Sequence, residues 1–161
     1  MLQLITMPIT DTIRKATPDD REQVHDLLKR ASLPLGGIPD SLDGFIVAED
    51  GGRITGAGGV EDCGAEGLLR SIAVDQSARS RGTGKRIVEQ LIDDARSEGR
   101  QSLYLLTTTA ENYFPSFGFT RVDRSTVPDS IRATDEFSTI CSKSAIVMKL
   151  DLNDKSRMPA E

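Results

Sequence analysis

The sequence has little of several residue types that would indicate particular classes of protein. It contains two cysteines, one histidine and no tryptophan in 161 residues. Two cysteines cannot build the disulfide framework of a small secreted domain, and beside a single histidine they make a poor site for a soft metal ion. We therefore expect no metal site, and we expect structural or incidental roles for Cys63 and Cys141.

Long apolar runs and an excess of positive charge are also missing. No stretch approaches the roughly 20 apolar residues of a membrane-spanning helix. The first ten residues, MLQLITMPIT, lack the basic region of a signal peptide. The formal net charge is −5 and the isoelectric point is about 5.0, which argues against nucleic acid or a membrane surface as the main partner. The cytoplasm is the expected compartment.

The order of apolar and turn-forming segments predicts a single α/β domain. We expect its core at about 12–150, between terminal tails at 1–11 and 151–161 that are assigned no role. Strands are predicted at 12–16, 45–49, 54–60, 68–74, 102–107, 119–122 and 144–150. Helices are predicted after Thr17, at 83–99 and at 110–117, with shorter helical segments near 39–43 and 130–134.

The most informative segment combines an apolar strand, a basic turn with two glycines, and an amphipathic helix. The turn is Arg79-Ser80-Arg81-Gly82-Thr83-Gly84, and Lys85 and Arg86 follow it. The start of a helix presents unpaired backbone N–H groups, and glycine lets a ligand approach the backbone closely. Four positive charges within eight residues stand out in a chain of negative net charge. The segment therefore predicts a site for a phosphate-bearing ligand.

Several motifs together resemble the GCN5-related N-acetyltransferase (GNAT) superfamily. The turn at 79–84 is similar to its pyrophosphate-binding signature, which is Arg or Gln, two residues, Gly, one residue, and Gly or Ala. The turn follows the strand LLRSIAVD, and a second signature, YFPSFGF, begins at Tyr113. The likeness covers about 12–150. It implies a mixed, mostly antiparallel sheet of six to seven strands with about four flanking helices, in which parallel central strands splay apart into a cleft.

The resemblance also implies acetyl-CoA as co-substrate and a small-molecule amine as acceptor. The segments GLLRSIAV, YLLTTTAENYFPSFGF and VPDSIRATDEF look similar to the ArsN-like arsenic-resistance acetyltransferases. That branch implies detoxification of an amino-acid-like or arsenical amine. A polyamine, an antibiotic amine, a protein amine and a non-catalytic acyl-CoA-binding regulator are the alternatives. The chain could act as a monomer or as a homodimer.

The family likeness further implies which residues bind the coenzyme. Backbone groups of the turn would bind the pyrophosphate, and those of the central strand would bind the acetyl and pantetheine arm. The end of the next strand and the helix after it would supply further contacts. The implied set is Ile72, Ala73, Val74, Arg79, Ser80, Arg81, Gly82, Thr83, Gly84, Lys85, Thr107, Asn112 and Phe114.

Two residues are catalytic candidates. Glu61 ends the second hairpin strand, where many relatives keep a general base, and an acceptor ammonium must lose a proton before it attacks. A solvated acid at a strand end is the alternative. The family position of a tyrosine that protonates the leaving thiolate holds Phe114 here, which also fits core packing, so Tyr113 is the candidate acid. Cys141 or water are its alternatives, and a thiol of pKa near about 8.5 leaves reasonably well unaided.

Arg70 is the candidate acceptor-binding residue. It stands in an otherwise apolar strand, and arginine is rarely buried without a partner. A carboxylate or similar oxyanion of the acceptor would be such a partner. An internal ion pair with Glu61 or Glu66 explains Arg70 equally well. We expect the segments 33–44 and 123–143 to shape the acceptor pocket.

Overall fold

A computed structural model describes residues 11–137 and 145–152. Over those residues, seven strands form one sheet and three α-helices pack on it. The strands are β1 Thr12–Lys15, β2 Phe45–Asp50, β3 Arg53–Cys63, β4 Glu66–Val74, β5 Ser102–Thr107, β6 Thr120–Val122 and β7 Ile146–Asp151. The helices are α1 Arg21–Arg30, α2 Thr83–Ser97 and α3 Asp129–Arg132.

The sheet is mixed and mostly antiparallel, as the sequence predicts. Its strand order is β1-β2-β3-β4-β5-β7-β6, and β4 with β5 is the parallel pair. The predicted hairpin joins β2 to β3, where Asp50 pairs with Arg53. Gly51 and Gly52 have φ values of 60° and 85°. Two successive left-handed residues are typical of the tight turn whose twist matches that of the flanking strands.

The parallel strands β4 and β5 separate after a short paired stretch. Their pairing runs from Glu66 opposite Ser102 to Leu68 opposite Tyr104 and stops there. Beyond that point, a bulge in β4 places both Ser71 and Ile72 across from a single β3 residue, and Ser71 has a φ of 62°. A bulge bends its strand and disrupts the ladder locally. The predicted cleft between the two strands is therefore present.

Helix α2 covers one face of the sheet through the apolar stripe expected from its sequence. The stripe residues are all buried: Ile87, Val88, Leu91, Ile92 and Ala95. The close approach depends on glycine in β3, because a Cβ at Gly58 would stand 2.6 Å from the Ile72 side chain and 2.9 Å from that of Ile87. Helices α1 and α3 lie against two further clusters of buried residues. The start of α2 is thus fixed beside the end of β4.

Two predicted helical segments need correction. The segment 39–43 forms turns, and the positive φ values of Leu42 (58°) and Gly44 (85°) are incompatible with a right-handed helix. In 110–117, helical structure is confined to a 3₁₀ turn at Phe114–Phe117. Proline at position 115 removes one N–H donor there, and Gly118, with a φ of 102°, ends the turn.

Both predicted tails also need correction. The sequence predicts no role for the tail that ends at Asp11, yet Asp11 is buried. Asp151 ends β7, and Leu152 is buried in the core under α2. The predictions for 1–10, for 138–144, which include Cys141 and the first residue of the last predicted strand, and for 153–161 lie outside the described residues. None of the helices at 11–137 or 145–152 is long and apolar enough to cross a membrane.

Candidate active site

A cavity of about 420 Å³ occupies the cleft where β4 and β5 diverge. One wall is the bulged part of β4, and the other is the end of β5 with the loop and 3₁₀ turn that follow. The loop after α1 and the segment after α3 close the ends. The predicted site residues that line it are Arg70, Ile72, Thr107, Tyr113 and Phe114.

The turn at Arg79–Gly84 has the main-chain shape of an anion site. Gly82, with a φ of 80°, precedes the first residue of α2, and the first intrahelical bond joins the Arg86 N–H to the Gly82 carbonyl at 3.0 Å. The N–H groups of the first turn therefore have no intrahelical acceptor. No side chain of the described residues caps them, and that turn holds no acid. Apart from its neighbours in the chain, no described atom lies within 4 Å of a Cβ built on Gly82, so a ligand can approach the backbone.

The basic side chains of this segment divide into two groups. Arg81 and Arg86 both bind Asp11. The Arg81 Nη2 atom lies 2.8 Å from the Asp11 carboxylate, and the Arg86 Nη2 atom lies 2.7 Å from the Asp11 carbonyl oxygen. Arg79 and Lys85 are exposed. Arg79 uses its Nε to donate to the Val74 carbonyl at 3.3 Å. The groups left to face an anion are the backbone N–H groups, Lys85 and the remaining Arg79 nitrogens.

The turn and the cleft meet at Gly84. A Cβ built on Gly84 would stand 3.3 Å from Val74 Cγ2 and 3.5 Å from the Tyr113 hydroxyl. The end of β4, the start of α2 and Tyr113 therefore adjoin one another. The uncapped helix start and the cleft between the strands therefore lie next to each other.

Tyr113 and Phe114 differ in exposure. The Tyr113 side chain is 41% exposed, whereas Phe114 is buried in the core and meets the Tyr113 ring edge-on at 5.1 Å between centroids. Burial of the phenol, together with the charge of Glu89, raises the pKa of Tyr113 above its usual value. Its hydroxyl is therefore protonated at neutral pH and is able to donate.

Three of the predicted coenzyme-binding residues have side chains that bind other parts of the protein or lie outside the cleft lining. The Thr107 hydroxyl accepts hydrogen bonds from the backbone N–H groups of Ala110 (2.8 Å) and Thr109 (3.3 Å), so it holds the loop after β5. Asn112 is exposed, and Ala73 packs in the core beneath α1. At Ala73 the main chain is the part left to contact a ligand.

Arg70 is the centre of a buried ionic cluster. Its side chain is 1% exposed, with Nη1 at 3.2 Å from Glu61 and Nη2 at 3.7 Å from Glu136. Its Nε donates to the Ser71 hydroxyl at 3.1 Å, and Nη2 lies 3.5 Å from the Pro34 carbonyl. The internal ion pair with Glu61, one of the two explanations from the sequence, is therefore present. The loop after α1 and the segment after α3 both reach this guanidinium.

Glu136 is a site residue that sequence reasoning missed. It is buried, and burial raises the pKa of its carboxyl group while the charge of Arg70 counteracts this. In the sequence, the only feature that marks Glu136 is a pair of acids, Asp135 and Glu136, beside Phe137. Nothing in the local pattern distinguishes them from surface acids.

Cysteine and metal chemistry gain no support from the described residues. Cys63 is buried, and burial, together with the charges of Glu61 and Asp62, raises the pKa of its thiol to about 11. A neutral, buried thiol is a poor nucleophile. Within 11–137 and 145–152, no three His, Cys, Asp or Glu side chains are grouped so that they would hold a metal ion.

Comparison with known proteins supplies relatives for this fold. The family model for the acetyltransferase (GNAT) domain matches residues 41–121, which is half of the chain. Glucosamine 6-phosphate N-acetyltransferase 1 of Oryza sativa subsp. japonica is 33% identical over 84 residues, which cover 46% of this chain and 51% of the rice enzyme. The chain thus spans about half the length of that relative.

Two solved structures share the fold. N-acetylglutamate synthase from Neisseria gonorrhoeae, complexed with coenzyme A and N-acetyl-glutamate, matches with a TM-score of 0.77 and 21% identity. The match covers 91% of this chain and 36% of that one. A Mycobacterium tuberculosis protein in complex with CoA matches with a TM-score of 0.75 and 22% identity, over 87% of this chain and 98% of that one. These structures share the fold of this chain, and the family model, which matches half of it, shows that the chain belongs to the GNAT acetyltransferase family.

Proposed function

We propose that this protein transfers the acetyl group of acetyl-CoA to the amine of a small, amino-acid-like acceptor. The observation that carries the proposal is the continuity of two sites. An uncapped helix start at Gly82 adjoins, at Gly84 and Tyr113, a cleft lined by the buried Arg70 and by Glu136. The second carboxylate, Glu61, lies 3.2 Å from the same guanidinium and lines a neighbouring cavity. The first site suits a pyrophosphate, and the second offers both charges of an amino acid a partner.

The chain's residues fit the coenzyme at the phosphate end. The backbone of the turn Arg79, Ser80, Arg81, Gly82, Thr83 and Gly84 would hold the pyrophosphate, with Lys85 beside it. A side chain at Gly82 or Gly84 would fill the space that the phosphate needs. The β4–β5 pairing ends at Leu68 opposite Tyr104, so the later main-chain groups of β4 on that side are unpaired with β5, and those of Ile72 through Val74 would bind the pantetheine arm. Thr107 and Phe114 line the other wall, and Asn112, which is exposed and outside that lining, would have to reach the arm from the loop after β5.

Arg70 would bind the carboxylate of the acceptor. Its guanidinium already pairs with Glu61 and Glu136. An incoming carboxylate would therefore replace one of these two acids or bind the guanidinium together with them. Displacement of Glu61 from Arg70 would leave that carboxylate beside the acceptor ammonium. The neighbour from Neisseria gonorrhoeae was solved with N-acetyl-glutamate, which supports an acceptor of this class.

The chemistry would be a direct attack in a ternary complex. Glu61 would take a proton from the acceptor ammonium, directly or through water, because only the free amine is nucleophilic. Acetyl-CoA supplies a thioester, and the new C–N bond forms as its C–S bond breaks. Tyr113 would return a proton to the departing sulfur. Cys63, buried and neutral, offers no acetyl-enzyme route.

Within this activity, an arsenical or otherwise toxic amino-acid analogue is the acceptor that the ArsN-like resemblance favours. The support is the likeness of three sequence segments, given above. The second candidate function is a non-catalytic acyl-CoA-binding regulator. It is favoured by Phe114, which is buried at the position where the family usually carries its tyrosine.

A thioester-cleavage screen tests the proposal. Purified protein with acetyl-CoA would be offered amino acids, arsenical and phosphinic analogues, polyamines, aminoglycosides and glucosamine 6-phosphate, and release of free thiol would be measured. We expect turnover with amino-acid-like amines. Turnover of polyamines alone would contradict the acceptor class. Binding of acetyl-CoA without turnover on any amine, including an exposed protein N-terminus, would favour the regulator.

A further inference from the structure

Asp11 is a buried carboxylate that binds the segment around the phosphate-binding turn. Its side chain is 0% exposed, and its oxygens accept hydrogen bonds from the hydroxyls of Thr55 (2.8 Å) and Thr83 (3.0 Å). Arg81 Nη2 lies 2.8 and 3.2 Å from the two carboxylate oxygens. The Asp11 carbonyl oxygen accepts a further bond from Arg86 at 2.7 Å. Three of its four partners therefore belong to the turn or to the first helical residues.

The turn needs such a restraint because its backbone is not in a favoured conformation. Ser80 and Gly82, on either side of Arg81, have φ values of 72° and 80°. The left-handed conformation is unfavourable for serine and persists where the surroundings determine it. Asp11 holds Arg81, between the two left-handed residues, and Thr83, just after them. It therefore restrains both sides of Gly82.

The electrostatics of Asp11 also agree with a place beside an anion site. Burial acts to raise the pKa of this carboxyl, but the Thr55 and Thr83 hydrogen bonds and the charges of Arg81 and Arg86 together hold the pKa below its usual 3.8. The group is therefore ionised at neutral pH. One carboxylate against two guanidinium groups leaves the cluster with a net positive charge, so Asp11 does not repel a nearby phosphate on balance.

We propose that Asp11 is a positioning residue for coenzyme binding, which fixes the turn at 79–84 in the shape that directs its N–H groups to the pyrophosphate. This inference rests on the proposed function. A preformed site binds more tightly because the backbone is already ordered before the ligand arrives. Without Asp11, the turn would have to be ordered at the moment of binding, and affinity would fall although Asp11 does not contact the ligand.

Asp20 provides a matched control at the other end of β1. It is also a buried aspartate, and Arg14 binds its two oxygens at 2.8 and 2.9 Å. Its partners, Arg14 and Thr17, lie outside the phosphate-binding turn. A purely structural role for buried aspartates predicts that Asp11→Ala and Asp20→Ala behave alike.

The test compares CoA binding by calorimetry with melting temperature in both variants. We expect Asp11→Ala to bind CoA at least about tenfold more weakly. Asp20→Ala should melt at a lower temperature than the parent protein, and its dissociation constant for CoA should stay within about twofold of the parent value. S-acetylpantetheine, which lacks the pyrophosphate, should show the same kcat/KM with Asp11→Ala as with the parent protein. Equal loss with acetyl-CoA and S-acetylpantetheine, or unchanged CoA affinity, would overturn the inference.

A milder pair keeps the test decisive if Asp11→Ala does not fold. Thr83→Val removes the bond from α2, and Thr55→Val removes the bond from β3 to the same carboxylate. We expect Thr83→Val to weaken CoA binding about threefold more than Thr55→Val does. Equal effects would contradict the inference. If the parent protein itself fails to bind CoA, the proposed function fails instead, so the two failures are distinguishable.

Discussion

The phosphate-binding turn and the cluster around Arg70 are the two charged parts of the proposed site, and they are built differently. The turn consists of six consecutive residues, Arg79–Gly84, and offers mainly backbone N–H groups. The cluster joins side chains of Arg70, Glu61 and Glu136, which lie up to 75 positions apart in the sequence. A backbone site depends on conformation, whereas a side-chain cluster depends on which residues the fold brings together.

This difference has consequences for specificity. Backbone groups recognise an anion without regard to the side chains around them, so the turn suits a co-substrate that relatives have in common. A cluster of one guanidinium and two carboxylates changes with any one of its members. We therefore expect variants of the turn to affect coenzyme binding alone, and variants of the cluster to affect the acceptor alone.

The largest expected effect is in the turn. Gly82→Glu and Gly84→Glu should each weaken acetyl-CoA binding by more than about 100-fold, because they place a carboxylate and its side chain where the pyrophosphate would lie. Calorimetry measures this. Gly99→Glu is the control, since Gly99 has a φ of 82° and follows the other end of α2. Gly99→Glu should lose about as much stability as the other two variants and should keep its affinity for acetyl-CoA. Equal affinity for acetyl-CoA in all three variants would refute the assignment of the turn as the pyrophosphate site.

The next effect is at the cluster. Arg70→Lys should raise the KM of a carboxylate-bearing acceptor by about tenfold or more, because lysine keeps the charge beside Glu136 and loses the planar fork. The KM for acetyl-CoA should stay within about twofold, since Arg70 does not contact the turn. Steady-state kinetics with each substrate varied measure both values.

Arg70→Ala is the stronger form of the same change. It leaves Glu136 buried without its cation, which costs about 3–5 kcal/mol of stability, so folding must be verified by melting temperature. Arg100→Lys is the control, because Arg100 also binds two acids, Asp62 and Glu98. If the Arg70 variants raise the KM of the acceptor and the KM of acetyl-CoA equally, Arg70 has a structural role and does not bind the acceptor.

A smaller effect is expected at Tyr113. Tyr113→Phe should lower kcat by up to about tenfold, less than the usual loss for a general acid, because a thiolate is a good leaving group. Tyr104→Phe is the matched control, since Tyr104 is the other tyrosine of the chain and is buried in β5. A kcat that is the same in both variants would assign protonation of the thiolate to water.

The smallest effect is expected at Lys85. This exposed side chain in the first turn of α2 should contribute only screened attraction, so Lys85→Ala should weaken acetyl-CoA binding by about two- to fivefold. Lys29→Ala, an exposed lysine near the end of α1, should have no effect. The Lys85 effect should shrink further at high salt. A loss comparable to that of Gly82→Glu would contradict a site made mainly of backbone groups.

Most of the secondary structure could be predicted because its causes are local. The apolar stripe of α2, the hairpin glycines and the strand at 102–107 follow from preferences of neighbouring residues. The segment at 39–43 was wrongly predicted as helical, since its conformation depends on left-handed backbone at Leu42, a residue type that seldom adopts it. The splaying of β4 and β5 was expected from family likeness alone, and the bulge at Ser71 has no signature in composition.

The sequence by itself determined the glycine turn and the helix start at 79–84, because the glycines and the helical segment that follows them lie side by side in the chain. Tertiary structure alone decided that Asp11 binds Arg81 across 70 positions and that Glu136 joins Arg70 across 66. A buried charge needs a partner, and the sequence shows that need. It does not show the partner, because the partner's identity depends on how distant segments pack.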